Sequence, residues 1–348
     1  MNETREDRIR ELLYEEPAFR VRQALAAIFS DSTLEWAKAT ALSKPLRDRL
    51  AAEVPWNTLS LVAVFPSVKG DTWKALFQTF DGERMETVLM KNSRGQLTVC
   101  VSTQIGCAMA CTFCATGKMG FSRNLSADEI VDQVRFFREY VATRGDISGE
   151  VTNIVFMGMG EPLGNYEGTK AALGIFIQQM GIGPTRITVS TVGLIPMLTR
   201  LLDDKEWPPV RLAVSLHSAD PKTRRDLMPT SYDGFLEKLA EWTQSYFQKF
   251  SEKRRHLTFE YIMLARVNDT DMHADALIRF ARRTGKVRIN LIPYNITEGG
   301  FSKSDEETID RFQSRLKAAS VITTRRRTMG DDIAAACGQL ALKNAKSR

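Results

Sequence analysis

Residues 107–114 read Cys107-Ala-Met-Ala-Cys111-Thr-Phe-Cys114 and follow a short β-forming run at 97–101, and this stretch decides how the rest of the chain is interpreted. Three thiols at this spacing can bind three irons of a 4Fe-4S cluster and leave the fourth iron open to another ligand. A structural zinc is the alternative, but zinc prefers four protein ligands in a closed site. Neither Cys100 nor a histidine lies at finger-like spacing, so the pattern favours the cluster.

Outward from this loop, short β-rich runs alternate with helical stretches. The runs after the loop are 151–157, 186–191, 210–216, 257–263 and 287–292. A capping box, Ser126-x-x-Glu129, opens a helical stretch at 126–141, and another stretch covers 305–319. With 97–101 these runs make six strand–helix repeats, which predict an α/β fold of parallel strands, either an open sheet or a partial barrel. In both architectures the chemistry gathers at the carboxyl ends of the strands.

The segment before residue 96 has two different patterns. Apolar residues such as Ile9, Leu12 and Leu25 recur at helical spacing, which predicts a small helical domain over 1–52. Alternation from 59 to 90, with the turn signal Asp81-Gly82, predicts a short β linker over 53–95. The strand–helix repeats then occupy 96–342.

Composition limits the classes of protein that fit. The chain has 348 residues, of which 43% are hydrophobic and 26% charged, as in soluble globular proteins. No apolar stretch approaches the roughly 18 residues that span a bilayer, and the polar start lacks the apolar core of a secretion signal. We therefore expect a cytoplasmic protein without a membrane partner.

Charge and cysteine content point to the kind of partner and compartment. The net charge of +6 favours an acidic partner such as nucleic acid, with Lys253-Arg254-Arg255-His256 and Arg325-Arg326-Arg327 as candidate phosphate contacts. Either cluster could equally be an exposed loop. The number of cysteines is odd, and four of the five lie between positions 100 and 114, so a secreted disulfide framework is not indicated.

Small or polar residues follow four of the predicted strands. They are Met157-Gly-Met-Gly160-Glu161-Pro162, Ser190-Thr191, Ser215-Leu216-His217 and Pro293-Tyr-Asn295. Each alone is typical of a turn or a cap. Because parallel strands bring these ends to one rim, together they indicate a binding site, in which Glu161 is suited to an ammonium group.

At this point the residues resemble a known family. The cysteine loop and the Gly-Met-Gly-Glu-Pro run are similar to those of the radical S-adenosylmethionine (SAM) superfamily. More closely, the chain resembles the RlmN/Cfr family of RNA adenine methyltransferases. The stretches that carry this likeness are 19–23, 42–50, 113–117, 157–162, 215–217 and 331–340. The resemblance implies a partial (β/α)6 barrel preceded by the helical, RNA-binding-like domain and the β linker.

The resemblance also implies a role for individual residues. Cys107, Cys111 and Cys114 would ligate a 4Fe-4S cluster that binds and cleaves SAM. The residues that would contact SAM are Gly160, Glu161, Ser190, Ser215, Leu216, His217 and Asn295. Cys337 would carry a methyl group from a first SAM, and a second SAM would supply the radical that activates it. Cys100 would then form a disulfide with Cys337 to release the product, and Glu86 would accept the proton. Taken alone, these last three residues would be interpreted as core or solvated side chains.

The resemblance and the residues are compatible with more than one function. It implies methylation of C-2 of an adenosine in large-subunit (23S) rRNA, with tRNA as a further substrate of some members and flavodoxin or ferredoxin as a reductant. A Cfr-type enzyme would methylate C-8 instead and confer antibiotic resistance. A radical SAM enzyme that does not methylate and a zinc-bound RNA-binding module are two further functions that the residues allow.

Overall fold

The structure of the protein, a computed structural model, describes residues 3–29, 33, 35–250, 257–285 and 287–342. The helices are α1 (Arg5–Leu12), α2 (Ala18–Phe29), α3 (Lys44–Glu53), α4 (Ala115–Lys118), α5 (Ala127–Ala142), α6 (Tyr166–Gln178), α7 (Ile195–Asp203), α8 (Pro221–Leu227), α9 (Phe235–Lys249), α10 (Asp271–Thr284) and α11 (Glu306–Ala318). The strands are β1 (Leu59–Pro66), β2 (Thr72–Thr79), β3 (Arg84–Lys91), β4 (Leu97–Cys100), β5 (Gln104–Gly106), β6 (Phe121–Asn124), β7 (Val151–Phe156), β8 (Ile187–Thr191), β9 (Arg211–Ser215), β10 (Leu257–Met263), β11 (Arg288–Pro293) and β12 (Ile322–Arg325).

One sheet carries the fold, with the strand order β1-β2-β3-β4-β7-β8-β9-β10-β11-β12. From β4 to β12 every neighbouring pair is parallel, with helices in the intervening chain. The six predicted strands are therefore confirmed. A seventh parallel strand, β12, was missed because Ile322-Thr-Thr-Arg325 offers only one apolar residue and runs into the arginine cluster.

The predicted β linker is part of the same sheet. Strands β1, β2 and β3 pair antiparallel with each other, and β3 pairs antiparallel with β4. The Asp81-Gly82 turn joins β2 to β3, and Gly82 adopts the left-handed φ of 84° that the turn needs. This pairing covers the edge of β4, which would otherwise expose unpaired backbone groups.

Helix α5 begins as its capping signal predicts. The Ser126 hydroxyl accepts a hydrogen bond from the Glu129 backbone N–H at 3.2 Å, and the Ser126 N–H donates to the Glu129 carboxylate at 2.8 Å. Buried Ile130, Val134 and Phe137 follow at helical spacing and face the core. The helix thus starts at a fixed residue and covers β7 and β4.

A buried charge network attaches the N-terminal helices to the barrel. Arg5, only 3% exposed, pairs with Asp132 at 2.6 Å and Asp128 at 3.1 Å on α5, and it donates to the carbonyl of Trp56 at 2.8 Å. Removing one member of such a network would leave a buried charge without its partner. The helical segment is therefore held in one orientation against the barrel, while its domain boundaries and its RNA-binding role stay predictions.

None of the helices among the described residues is long and apolar enough to cross a membrane.

Candidate active site

The cysteine loop lies between two short antiparallel strands. Its sequence context predicts that it directly follows the first parallel strand, but β5 intervenes and pairs with β6 on the far side of the loop. The Cys107 N–H donates to the Gly120 carbonyl at 2.7 Å. Gly106 allows this closure, since a Cβ there would lie 1.9 Å from that same carbonyl oxygen. The β5–β6 pair therefore fixes both ends of the loop.

The three loop thiols are a donor set suited to an iron–sulfur cluster. Burial raises the pKa of the Cys107 thiol to about 11, and burial together with the neighbouring thiols raises the pKa of Cys111. Both thiols are therefore protonated at neutral pH until a metal centre displaces the protons. Among the described residues, no trio of Cys, His, Asp or Glu is arranged to hold a single metal ion. Cluster ligands have no need to converge in this way, since each thiolate binds a different iron.

Polar residues from four strand ends meet the cysteine loop around one cavity of about 450 Å³. The predicted site residues that line it are Cys100, Cys107, Cys111, Cys114, Gly160, Glu161, Ser190, Ser215, His217, Asn295 and Cys337. Leu216 and Glu86 are not among the lining residues. The Leu216 side chain is fully buried in the core, because alternation along the chain turns it away from its neighbours Ser215 and His217.

Glu161 is a buried carboxylate that lines this cavity. Its two oxygens accept hydrogen bonds from the backbone N–H groups of Leu163 at 3.0 Å and Val192 at 2.8 Å. Burial raises the pKa of Glu161 to about 7, while the hydrogen bond from the Val192 N–H acts in the opposite direction because it stabilises the ionised carboxylate. A carboxylate can accept about four hydrogen bonds, so capacity for an ammonium ligand is left.

His217 presents a neutral ring. Burial, with a smaller effect of nearby Arg224, lowers its pKa to about 3. Its Nδ1 accepts the Ile262 backbone N–H at 3.1 Å, and its ring packs edge-on against Phe113 with centroids 4.8 Å apart. The residue has a left-handed φ of 56°, which turns the chain from β9 into the cavity wall.

The C-terminal loop brings Cys337 to the cluster loop. The Ala115 N–H donates to the Gly338 carbonyl at 2.8 Å, the Thr116 hydroxyl to the Leu340 carbonyl at 2.7 Å, and the Asn295 amide to the Cys337 carbonyl at 3.2 Å. Cys337 is exposed and lines the cavity. A thiol far away in sequence therefore shares a cavity with the three loop thiols.

Cys100 is a buried residue of the same cavity. Burial raises the pKa of its thiol to about 12, while the positive charge of Arg326 acts in the opposite direction. All five cysteines of the chain are free, so the structure does not contain the expected disulfide between Cys100 and Cys337. A disulfide that forms during turnover stays a prediction.

Glu86 instead holds the C-terminal loop from outside the cavity. One carboxylate oxygen lies 2.8 Å from Lys74 Nζ, and both side chains are 1% exposed. The second oxygen accepts the backbone N–H groups of Ala341 at 3.0 Å and Leu342 at 3.2 Å. Lys74 Nζ also donates to the Ala334 carbonyl at 3.4 Å. We call Lys74, Glu86 and the backbone groups that they bind the buried clasp.

The arginine cluster does not form a free basic patch. Arg325 pairs with Glu306 and Asp310, and Arg326 faces the cavity 3.6 Å from Glu260. Arg327 is exposed at the cavity wall with only a distant partner, Asp71 at 3.9 Å. The second predicted basic cluster, 253–256, lies outside the described residues.

Sequence reasoning missed Lys74 and Arg224, and it assigned Arg326 to a candidate phosphate contact instead of to the cavity. The only sign of these residues in the sequence is a charged side chain among apolar residues or at the end of a strand. Charged side chains in such positions are usually exposed to solvent.

Gly160 provides a direct test of how the cavity is built. It has φ 98°, and a Cβ would lie 2.5 Å from the Cβ of Gln104. The variant Gly160→Ala should therefore displace the turn that carries Glu161 at a cost of roughly 1–3 kcal/mol, which should weaken SAM binding about tenfold or more in calorimetric titration. Gly181→Ala is the matched control, since Gly181 has φ 68° with nothing within 4 Å. Equal affinity in both variants would contradict this account of the turn.

The chain is similar to known proteins in both sequence and fold. It matches the family model of the radical SAM superfamily over residues 101–278. A radical SAM methyltransferase from Sphaerobacter thermophilus has the same fold, with a TM-score of 0.87, 38% identity and 97% of each chain covered. The fold and the cysteine loop therefore define a radical SAM enzyme, a class that uses a 4Fe-4S cluster and SAM.

Two curated relatives define the family more narrowly. The dual-specificity RNA methyltransferase RlmN of Desulfotalea psychrophila is 40% identical over 94% of this chain and 90% of its own length. That of Solidesulfovibrio magneticus is 41% identical over 93% of this chain and 91% of its own length. The chain belongs to the RlmN family of radical SAM RNA methyltransferases. This assignment overturns the hypotheses of a zinc-bound RNA-binding module and of a radical SAM enzyme that does not methylate.

Proposed function

We propose that the protein methylates C-2 of an adenosine in 23S rRNA and in the tRNA anticodon loop, with Cys337 as the methyl carrier. The observation that carries the proposal is that Cys337 and Cys100 line one cavity with the three cysteines of the cluster loop. An adenine ring carbon has no lone pair with which to take a methyl group directly. A thiol that first takes the methyl group, next to a source of radicals, provides a route by which that carbon can be added to the ring.

When bound, the cluster would supply the electron that cleaves SAM, held by Cys107, Cys111 and Cys114. Glu161 would receive the ammonium group of SAM, and Ser190, Ser215 and Asn295 offer hydroxyl and amide groups for its remaining polar atoms. The neutral His217 ring and Gly160 would form the surrounding wall.

The carrier step assigns different work to the two remaining cysteines. Cys337, as a thiolate, would take the methyl group of a first SAM and release S-adenosylhomocysteine. That methyl group would lose one hydrogen atom to the radical from a second SAM, and its carbon would then add to the base. After proton removal from C-2, Cys100 would attack the Cys337 sulfur, so that the bond between this sulfur and the transferred carbon breaks and a Cys100–Cys337 disulfide forms. Arg326 lies in the same cavity, and its charge favours the thiolate form of Cys100. We propose that flavodoxin or ferredoxin supplies the electrons.

Glu86 is proposed as the acceptor of the C-2 proton, and its position sets a condition on this role. Its carboxylate is engaged with Lys74, Ala341 and Leu342. When RNA is bound, this carboxylate would therefore have to release the backbone N–H groups of Ala341 and Leu342 before it could accept a proton from the base. Access of the ring carbon also requires that the adenosine be extruded from its stack.

Mass spectrometry of nucleosides tests this proposal. The reconstituted, reduced enzyme is incubated with rRNA or tRNA and SAM that carries a deuterated methyl group. Labelled 2-methyladenosine is the expected product. Labelled 8-methyladenosine would assign the Cfr-type reaction instead, and SAM cleavage without a labelled adenosine would contradict methylation of these RNAs.

A further inference from the structure

Helix α8 carries a fully buried arginine that forms no ion pair with any carboxylate of the described residues. Arg224 is 0% exposed. It donates to the Val192 carbonyl at 2.9 Å, contacts the Met228 sulfur and lies 4.1 Å over the Phe235 ring. Its Nε has no hydrogen-bond partner among the described residues. A buried guanidinium without a countercharge is costly, so buried charges are normally paired or lie near a metal centre.

The end of α8 is attached to the cysteine loop. The Thr112 N–H and hydroxyl both donate to the Leu227 carbonyl, at 3.0 and 3.2 Å. Leu227 and Met228 pack in one apolar cluster with Cys111 and Phe113. Arg224 therefore lies behind the loop that provides the three thiols.

A thiolate at Cys111 would act on Arg224 as a nearby negative charge. Burial lowers the pKa of Arg224 to about 9, and the charge of ionised Cys111 acts in the opposite direction. His217, also close to Arg224, is neutral and offers no negative charge. Cys111 bound to a cluster as a thiolate would supply this countercharge.

Ligation converts this region into an anionic one. A 4Fe-4S core with two positive charges, held by three thiolates, carries about one net negative charge, and reduction by one electron adds another. A fixed cation beside such a centre stabilises the reduced form more than the oxidised form, because it interacts with the larger negative charge. Net charge near a cluster is one of the factors that set its reduction potential.

We propose that Arg224 is the buried cation that offsets the charge of the thiolate-bound cluster and favours its reduction. The inference rests on the proposed role of Cys111 as a cluster ligand and extends it to a residue that is not among the proposed SAM contacts. Arg224 is thus a positioning residue for electron transfer, since it acts through the cluster.

Potentiometric titration of the reconstituted cluster, monitored by electron paramagnetic resonance without SAM or RNA, tests the proposal. In Arg224→Met the equilibrium constant for one-electron reduction should fall at least about tenfold, which corresponds to about 59 mV. Arg224→Lys retains a cationic group, although with fewer of the contacts of the guanidinium, and its equilibrium constant should fall less than that of Arg224→Met. Arg225→Met is the matched control, since Arg225 is exposed on the same helix and pairs with Asp233.

Two outcomes would overturn the proposal. The first is an unchanged potential in Arg224→Met with full iron and sulfide content. The second is that neither Arg224→Met nor Arg224→Lys binds a cluster, which would assign Arg224 a purely structural role. If only the lysine variant binds a cluster, the result supports a requirement for positive charge at this position. Cys111→Ala separates this test from the proposed ligand role, because retention of a normal cluster there would remove the ligand role itself. RNA methylation does not enter either readout.

Discussion

The variant Cys337→Ala is expected to lose methyl transfer to RNA by at least about 10³-fold, because no second thiol can take its place as carrier. Cys100 is buried at the end of β4, whereas Cys337 is exposed, so Cys100 is less accessible to a bound base. The measurement is the yield of labelled methyladenosine per enzyme. Iron and sulfide content should be unchanged, since Cys337 is not a proposed cluster ligand.

Cys337→Ser distinguishes chemistry from packing in this test. Serine keeps the approximate size of the side chain and the hydrogen bond from Asn295 to the backbone carbonyl of residue 337. We expect the same loss as in the alanine variant, since a hydroxyl is a poor methyl acceptor at neutral pH. Methylation above a tenth of the unmodified level in either variant would remove Cys337 from the carrier role.

The variant Lys74→Met should lower the free energy of unfolding by about 3–5 kcal/mol, because it leaves the Glu86 carboxylate buried without its cation. Lys74 and Glu86 are 1% exposed and 2.8 Å apart, so water cannot replace the lost partner. The two backbone N–H groups of residues 341 and 342 remain as the only partners of Glu86 from the buried clasp. Denaturant titration of the cluster-free protein measures the loss.

A double-mutant cycle makes this prediction specific. Lys74→Met combined with Glu86→Gln removes both charges and should recover more than half of the lost stability. Lys91→Met is the matched control, since Lys91 is on the neighbouring strand β3 and its ammonium group bonds the Ser148 hydroxyl at 2.9 Å; it should change stability by less than about 0.5 kcal/mol. A loss in Lys74→Met no larger than in this control would show that the clasp does not stabilise the fold.

The parts of the structure that rest on local pattern could be predicted. The spacing of Cys107, Cys111 and Cys114 is short enough that any turn brings them together. The apolar runs that became β7 to β11 are long enough to identify, whereas β12 has a single isoleucine. The capping box at Ser126 depends on two residues three positions apart, and it forms as expected.

The parts of the structure that depend on contacts between residues far apart in the sequence could not be predicted. Lys74 meets Glu86 because β2 and β3 pair in a register that brings the two side chains together. Nothing near Glu86 indicates that residues 341 and 342 will return to its carboxylate. Arg224 lies in Pro221-Lys-Thr-Arg224-Arg225, which is typical of an exposed helix, and only tertiary packing shows that it is buried.

The way the C-terminal loop is held has a consequence for the order of events in folding. Its hydrogen bonds to Thr116 and Glu86 join residues 224 and 255 positions apart. Contacts over such distances close late, because the entropy of a long loop must be lost before they form. The three cluster cysteines are neighbours and leave the ribosome long before Cys337. We therefore expect the C-terminal loop to dock last, and the carrier cysteine to close over a cysteine loop that has already formed.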